Sequence, residues 1–305
     1  MDTRINSHGP VSSLFISPQE LGSRLGHLDA PLLLDVRREG KFASSPRMLA
    51  GAIRCAPENV AAFASSQAPR EVVVYCVYGH NVSADAVATL RTAGWQAWQL
   101  AGGIEGGEEG VDSAHNIASW RIAAPLTMVK NADWGVTGEQ ASRWVTRARP
   151  KIDRIACPWL IRRFIDPRAE FFYVPAAQVF DEAKRLNAVA YDIPGAPLSH
   201  DGARCSFEVL IQAFGLQHAA LDKLARMVCG ADTDRLEMAP ESAGLLALSL
   251  GLSRLHTDDH AMLDAAMPMY DALYTWCQSV STAVWQGAPA ETHNWPPEAE
   301  SKGKA

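Results

Sequence analysis

Cys76 closes the apolar run REVVVYCV at 70–77 and precedes a polar, glycine-containing loop and the helical pattern SADAVATLRTAG at 83–94. A thiolate is a strong nucleophile when its surroundings favour the anion. If the loop Val77, Tyr78, Gly79, His80, Asn81 and Val82 curls back over the sulfur, its amides form an anion-binding nest, reinforced by the positive end of the next helix. Such a nest suits a thiolate, a persulfide or an oxyanion. A small buried cysteine capping a strand satisfies the same pattern, and the residues alone leave both readings open. His80 is either a proton carrier beside the nucleophile or a solvent-facing loop residue. Asp35 and Arg37, in LLLDVRREGKF at 32–42, either position the loop or form a buried ion pair tying strand to helix. Cys55 is either core or a resolving thiol.

A second set lies further along. In RPKIDRIACPWLIRRFIDP, at 149–167, a proline inside a helix would cost about 3 kcal/mol, so Pro158 is expected at the first helical position. Cys157 then caps that helix, with Asp153 and Arg154 on the turn before it, as a candidate thiol or anion site. The alternative is a small buried residue at a helix start. SHDGARCSFEVL at 199–210 brings His200, Cys205 and Glu208 close in sequence, RLHTDDHAMLD at 254–264 sets His256 and His260 four apart with Asp258 and Asp259 between, and GADTDR at 230–235 adds Asp232 and Asp234. His, Cys and carboxylate together can hold a divalent transition metal, with His200, Glu208 and His260 as the candidate ligands. Neither CxxC nor HExxH spacing is present, and the alternative is that His256 or Asp258 caps the last long helix.

These residues need elements to hold them. APLLLDV (30–36), AGAIRCA (50–56), REVVVYCV (70–77) and WQAWQLAGG (95–103) read as strands, with a helix at 83–94 that Ser83 caps and Gly94 stops. Strands alternating with helices indicate a parallel sheet covered on its faces. The boundaries expected are a disordered N-terminus at 1–13, a first domain at 14–110, a linker at 111–141, a second domain at 142–282 and a disordered tail at 283–305. The second domain reads as mostly helical α+β, with helices at 158–166, 176–187, 205–215, 218–229, 240–254 and 258–279. Two strands, AEFFYVP (169–175) and AVAYDIP (188–194), interleave them. The helix in ESAGLLALSLGLSRL is apolar nearly all round, which fits burial in this domain or a homodimer interface.

With 305 residues, 48 % of them hydrophobic, the chain can bury a sizeable core, and two domains are the better expectation. A net charge of −6 with no polybasic stretch argues against nucleic acid as partner. The N-terminus lacks a basic region followed by an apolar stretch, and AGLLALSLGL at 243–252 is about half a membrane span, so a cytoplasmic protein without membrane insertion is expected. Six cysteines without regular spacing read as reduced thiols.

LLLDVRREGKF, AGAI (50–53), VVVYCVYGHNVSADAVATLRTAGW (72–95) and LAGGI (100–104), in that order, resemble the rhodanese family of sulfurtransferases over about 14–108. The resemblance implies a doubly wound α/β sheet and a Cys76 that cycles between thiolate and persulfide, with no cofactor. A small sulfur-containing or oxyanion substrate and a thiol acceptor are the implied partners. The loop departs from the family pattern: Asn81 stands where an arginine is common, and Val82 adds a residue before Ser83. With no Lys or Arg at 77–82, the loop offers an anion only amides and His80, and its length resembles relatives that bind larger tetrahedral oxyanions. Residues 142–282 are similar to the chromate-resistance protein family of B type. RPKIDRIACPWLIRRFIDPRAEFFYVP, DIPGAPLSHDGARCSFEVLI, GADTDRLEMAPESAGLLALSLGLSRL and DDHAMLDAAMPMYDALYTWC carry that likeness. It implies a role in surviving chromate and supplies no catalytic residue. The expectation is a sulfurtransferase coupled to a chromate-resistance domain. The competing reading is a non-catalytic oxyanion or redox sensor.

Overall fold

The computed structural model describes residues 14–286, so the expectations for 1–13 and for 287–305 lie outside the described residues. The first half runs β1 (Phe15–Ile16), α1 (Pro18–Arg24), β2 (Leu32–Asp35), α2 (Glu39–Ser44), β3 (Arg47–Leu49), β4 (Ala52–Arg54), α3 (Val60–Ser66), β5 (Glu71–Tyr75), α4 (Asn81–Thr92) and β6 (Gln96–Leu100). Five strands form one parallel sheet in the order β1-β6-β5-β2-β4, with Leu33 opposite Val73 and Val73 opposite Trp98. Parallel strands need crossovers, and α3 and α4 supply them. Residues 111–141, expected as a linker, contain α5 (Ala114–Ile122) and β7 (Thr127–Val129), and β7 pairs antiparallel with β3. The Arg47 side chain reinforces that join, donating to the Thr127 carbonyl and hydroxyl and to the Gly215 carbonyl.

The second half contains β8 (Arg143–Arg147), α6 (Asp153–Leu160), β9 (Glu170–Val174), α7 (Val179–Leu186), β10 (Val189–Ala190), α8 (Ser206–Ala213), α9 (Ala219–Asp232), α10 (Ser242–Leu255) and α11 (Asp259–Gln286). Its small parallel sheet has the order β10-β8-β9. β8 is a strand that the sequence pattern does not announce. RWVTR reads as the approach to a helix, but Trp144, Val145 and Thr146 are all buried at the centre of this sheet. α11 continues to Gln286, past the expected start of the tail at 283. No helix among the described residues is long and apolar enough to cross a membrane.

Pro158 lies inside α6, which corrects its expected place at the first helical position. The Arg154 carbonyl that its missing N–H would have served lies 3.5 Å from the Tyr173 hydroxyl. The helix then widens to one π turn at Ile161–Ile165, closed by Asp166 N donating to the Ile161 carbonyl at 2.8 Å. α10 meets the first of its two expected places, burial in this domain, only in part. Its buried positions are Ser242, Leu245, Ser249 and Ser253, whereas Leu248, Leu250 and Leu255 face outward.

Period-two alternation divides the large sheet between two cores. Leu32, Leu34, Val72 and Val74 pack against α3 and α4 with Val87, Leu90 and Trp95. Their neighbours Leu33, Val73 and Tyr75 point the other way, into one continuous core with Leu21, Trp144, Trp159, Phe164 and Tyr274. The second half therefore covers the back of the first half's sheet. Contact is close at Gly26, whose φ is +82° and where a Cβ would sit 2.2 Å from the Phe164 ring. Gly51 N donates to the Phe164 carbonyl at 2.7 Å, and Arg54 N to the Gly138 carbonyl at 2.8 Å.

Candidate functional site: a cysteine cleft and an acidic cluster

Cys76 follows β5 directly, at the carboxyl end of a central strand, where open parallel sheets place their ligands. It forms the floor of a cleft of about 280 Å³ together with Val77, Tyr78, His80, Asn81 and Val82. The residue is only 5 % exposed, as either reading of the sequence allows. Among the described residues, the amides of 77–83 donate to no carbonyl or side chain, so the loop retains its donors. Its carbonyls are engaged instead. Ile104 N and Glu105 N donate to the Cys76 and Val77 carbonyls at 3.1 and 2.9 Å. The loop interlocks with the turn after β6: a Cβ on Gly103 would lie 2.5 Å from both Gly79 N and the Val77 carbonyl. This close backbone approach explains the glycines of LAGGI.

Ser83 corrects another expectation. α4 begins at Asn81, and Ser83 does not cap it but turns inward, its hydroxyl 3.1 Å from Cys76 Sγ. That hydroxyl also donates to the His80 carbonyl at 3.0 Å and accepts from Gln99 Nε2 at 3.1 Å. Gln99 Nε2 lies 2.6 Å from the Gly79 carbonyl as well, so one buried amide on β6 fixes both loop and hydroxyl. His80 is drawn toward acids. Its Nε2 lies 2.8 Å from Asp112 and its Nδ1 3.7 Å from Glu108.

Asp35 and Arg37 form the buried ion pair. Arg37 Nε and a terminal nitrogen donate to Asp35 at 3.0 and 2.6 Å, and the Tyr75 hydroxyl donates to the same carboxylate at 2.9 Å. Two exposed cations, Arg38 and Lys41, also line the cleft. Neither lies within 77–82, the loop stretch that itself carries no cation. The signal available was the i,i+3 spacing of Arg38 and Lys41 at the start of α2, shortly after a central strand.

The second-domain candidates separate. Cys157 is buried within α6 rather than capping it, and burial, with Asp153 next, pushes its thiol far up, so it is not a low-pKa nucleophile. Arg154 pairs with Asp192 at 3.3 Å. The expected metal ligands do not meet. His260 stands edge-on to the Tyr173 ring, and Glu208 accepts from Cys229 at 3.2 Å in a cluster with Cys205. The fold does not bring the stretch that holds His260 to the one that holds His200, and Glu208 faces Cys229 instead. His200 Nε2 instead lies 3.1 Å from Asp232, 3.4 Å from Asp153 and 3.5 Å from Asp192. The Asp153 and Asp192 carboxylates raise the imidazole pKa to about 10, while burial, with Asp153 next, raises Asp232 to about 6.

Comparison with known proteins divides the chain at the same place. Residues 17–109 match the family described as rhodanese-like domain, and 144–277 match ChrB, C-terminal domain. Protein ChrB of Cupriavidus metallidurans is 37 % identical over 140 residues, 46 % of this chain and 42 % of that protein, so the chain matches less than half of that relative's length. Among solved structures, a rhodanese homolog from the extremely thermophilic bacterium Thermus thermophilus is 28 % identical, covering 29 % of this chain and 94 % of its own, with a TM-score of 0.24. An As-Sb reductase from Leishmania major is 17 % identical over 39 % of this chain and 87 % of its own, with a TM-score of 0.29. The sulfur-bearing loop and the acidic cluster thus sit in different modules, and the chain joins a rhodanese-like domain to a ChrB C-terminal domain.

Proposed function

We propose that the protein is a sulfurtransferase that carries sulfane sulfur on Cys76 and acts with its ChrB domain in chromate or related oxyanion detoxification. The observation that carries this reading is the Cys76 sulfur at the floor of a cleft bordered by uncommitted loop amides and by two cations, Arg38 and Lys41. In thiosulfate, the Cys76 thiolate attacks the outer sulfur, the S–S bond breaks, and sulfite leaves with the bonding electron pair. The new persulfide bears its negative charge on the terminal sulfur, where the amides and the α4 dipole favour it. A thiolate acceptor or cyanide then takes that sulfur and returns Cys76 to the thiolate. The Ser83 hydroxyl lies 3.1 Å from Sγ and, by turning its one hydrogen from the His80 carbonyl to the sulfur, can donate to the Cys76 thiolate.

The direct test is the intact mass after incubation with thiosulfate. The protein gains one sulfur atom, removable by dithiothreitol, and Cys76→Ala does not. Arg38 and Lys41 supply a second check. Both are exposed, so each contributes about 0.5–1 kcal/mol to holding a dianion, and their joint replacement by alanine raises the KM for thiosulfate about tenfold. The rate at saturating donor changes little, and the difference shrinks at high salt. A sensor without turnover is the second reading, favoured by a loop that itself carries no cation. It predicts saturable sulfate or chromate binding by calorimetry with no sulfur adduct.

A further inference from the structure

Asp153, Asp192, His200 and Asp232 come from three separate parts of the second half: the start of α6, the segment between β10 and α8, and the end of α9. Their side chains converge on His200 Nε2 at 3.1–3.5 Å. A protonated imidazole has one hydrogen on that nitrogen, and a charge-assisted N–H···O bond is about 2.7–2.9 Å long. A single proton cannot serve three carboxylates, and none of the three distances reaches that length. The spacings do match the edges of a metal coordination shell. Ligands about 2.0–2.2 Å from a metal stand about 3.0 Å apart in an octahedron and 3.4 Å apart in a tetrahedron.

Two further observations point to a cation. Asp153 is fully buried, and its Oδ1 has no hydrogen-bond partner, an expensive state for a carboxylate unless a ligand meets it. The other oxygens are held as second-sphere contacts hold metal ligands. Ser206 N donates to Asp153 Oδ2 at 2.6 Å and Ser206 Oγ to Asp192 Oδ1 at 2.7 Å, while Arg147 and Arg154 both engage Asp192 Oδ2 at 3.3 Å. His200 is 40 % exposed, which leaves an entry from solvent on the imidazole side.

We infer that Asp153, Asp192, His200 and Asp232 form a binding site for a divalent first-row transition metal of the Mn²⁺ or Fe²⁺ class. Three carboxylates and one imidazole are hard to borderline donors and suit those ions better than a soft, thiolate-seeking one. The thiol cluster of Cys205, Glu208 and Cys229 is a different set and shares no ligand with this one.

The test is titration of chelator-treated full-length protein with Mn²⁺, following the free-ion EPR signal, with thermal melting as the second readout. One Mn²⁺ binds per chain and raises the melting temperature. His200→Gln and Asp232→Asn, both at partly exposed positions, each weaken binding at least tenfold and remove the melting shift. Each melts like the metal-free wild type when no metal is added. Glu208→Gln binds as wild type does. Failure of the wild type to bind Mn²⁺ saturably would overturn the site, as would unchanged affinity in both ligand variants or loss of binding in Glu208→Gln.

Discussion

Cys76→Ala abolishes thiocyanate formation from thiosulfate and cyanide, with a loss on the order of a thousandfold or more, because the group that accepts the sulfur is gone. No other thiol is placed to substitute. Cys55 is buried and its pKa is raised to about 11, chiefly by desolvation. Cys277 is raised to about 12 by the same cause, and burial also pushes the Cys157 thiol well up. All three are therefore poor nucleophiles near neutral pH, and they lie outside the cleft. Cys205 and Cys229 are buried in the second half, beside Glu208 and away from the cleft. The assay compares initial rates of wild type and Cys76→Ala at matched concentration, with a melting curve to show that both are folded. Equal rates would end the enzymatic reading while leaving oxyanion binding open to calorimetry.

Trp159→Ala is the most damaging core substitution expected. Trp159 is fully buried, with its ring 5.5–6.4 Å from Phe164, Phe207, Tyr270 and Tyr274. Its indole N–H donates at 2.8 Å to Asp271, whose carboxylate also binds Arg163 in bidentate fashion at 2.8 Å. Removing the ring opens a cavity and takes a donor from a half-buried carboxylate, at a cost of about 3–5 kcal/mol. The melting temperature then falls by about 10 °C. Because Trp159 shares one core with Leu33, Val73 and Tyr75, both halves melt in the same calorimetric transition, before and after the substitution. An early transition confined to the second half would refute the shared core.

Much of the first half was legible because its signals are local. The alternation in LLLD and EVVVY, the glycines after β6 and the cysteine loop each depend on neighbours within a few residues. Arg38 and Lys41 reach the cleft from α2, so nothing local to 77–82 announces them. Ser83 looked like a helix cap because hydroxyls usually serve there, but Gln99 and Cys76 give it better partners inside. The second half was harder. Pro158 sits in a helix interior beside the fully buried Trp159 and Ile161, a tertiary setting that local propensity does not contain. His200 is readable from sequence as a potential ligand, yet the acidic groups that meet it run from Asp153 through Asp192 to Asp232, 79 positions apart at the extremes, and are joined only by tertiary contact.

The two modules match separate families, yet they are not separable parts. A gene cut within 111–141 would yield two products, each with an oily wall that the other was meant to seal. Neither would behave as a miniature of the whole, since the strand leading to Cys76 gives alternate side chains to each partner's interior. Grafting a rhodanese from another source onto this ChrB domain would require redesigning that reverse face, not merely the connecting peptide.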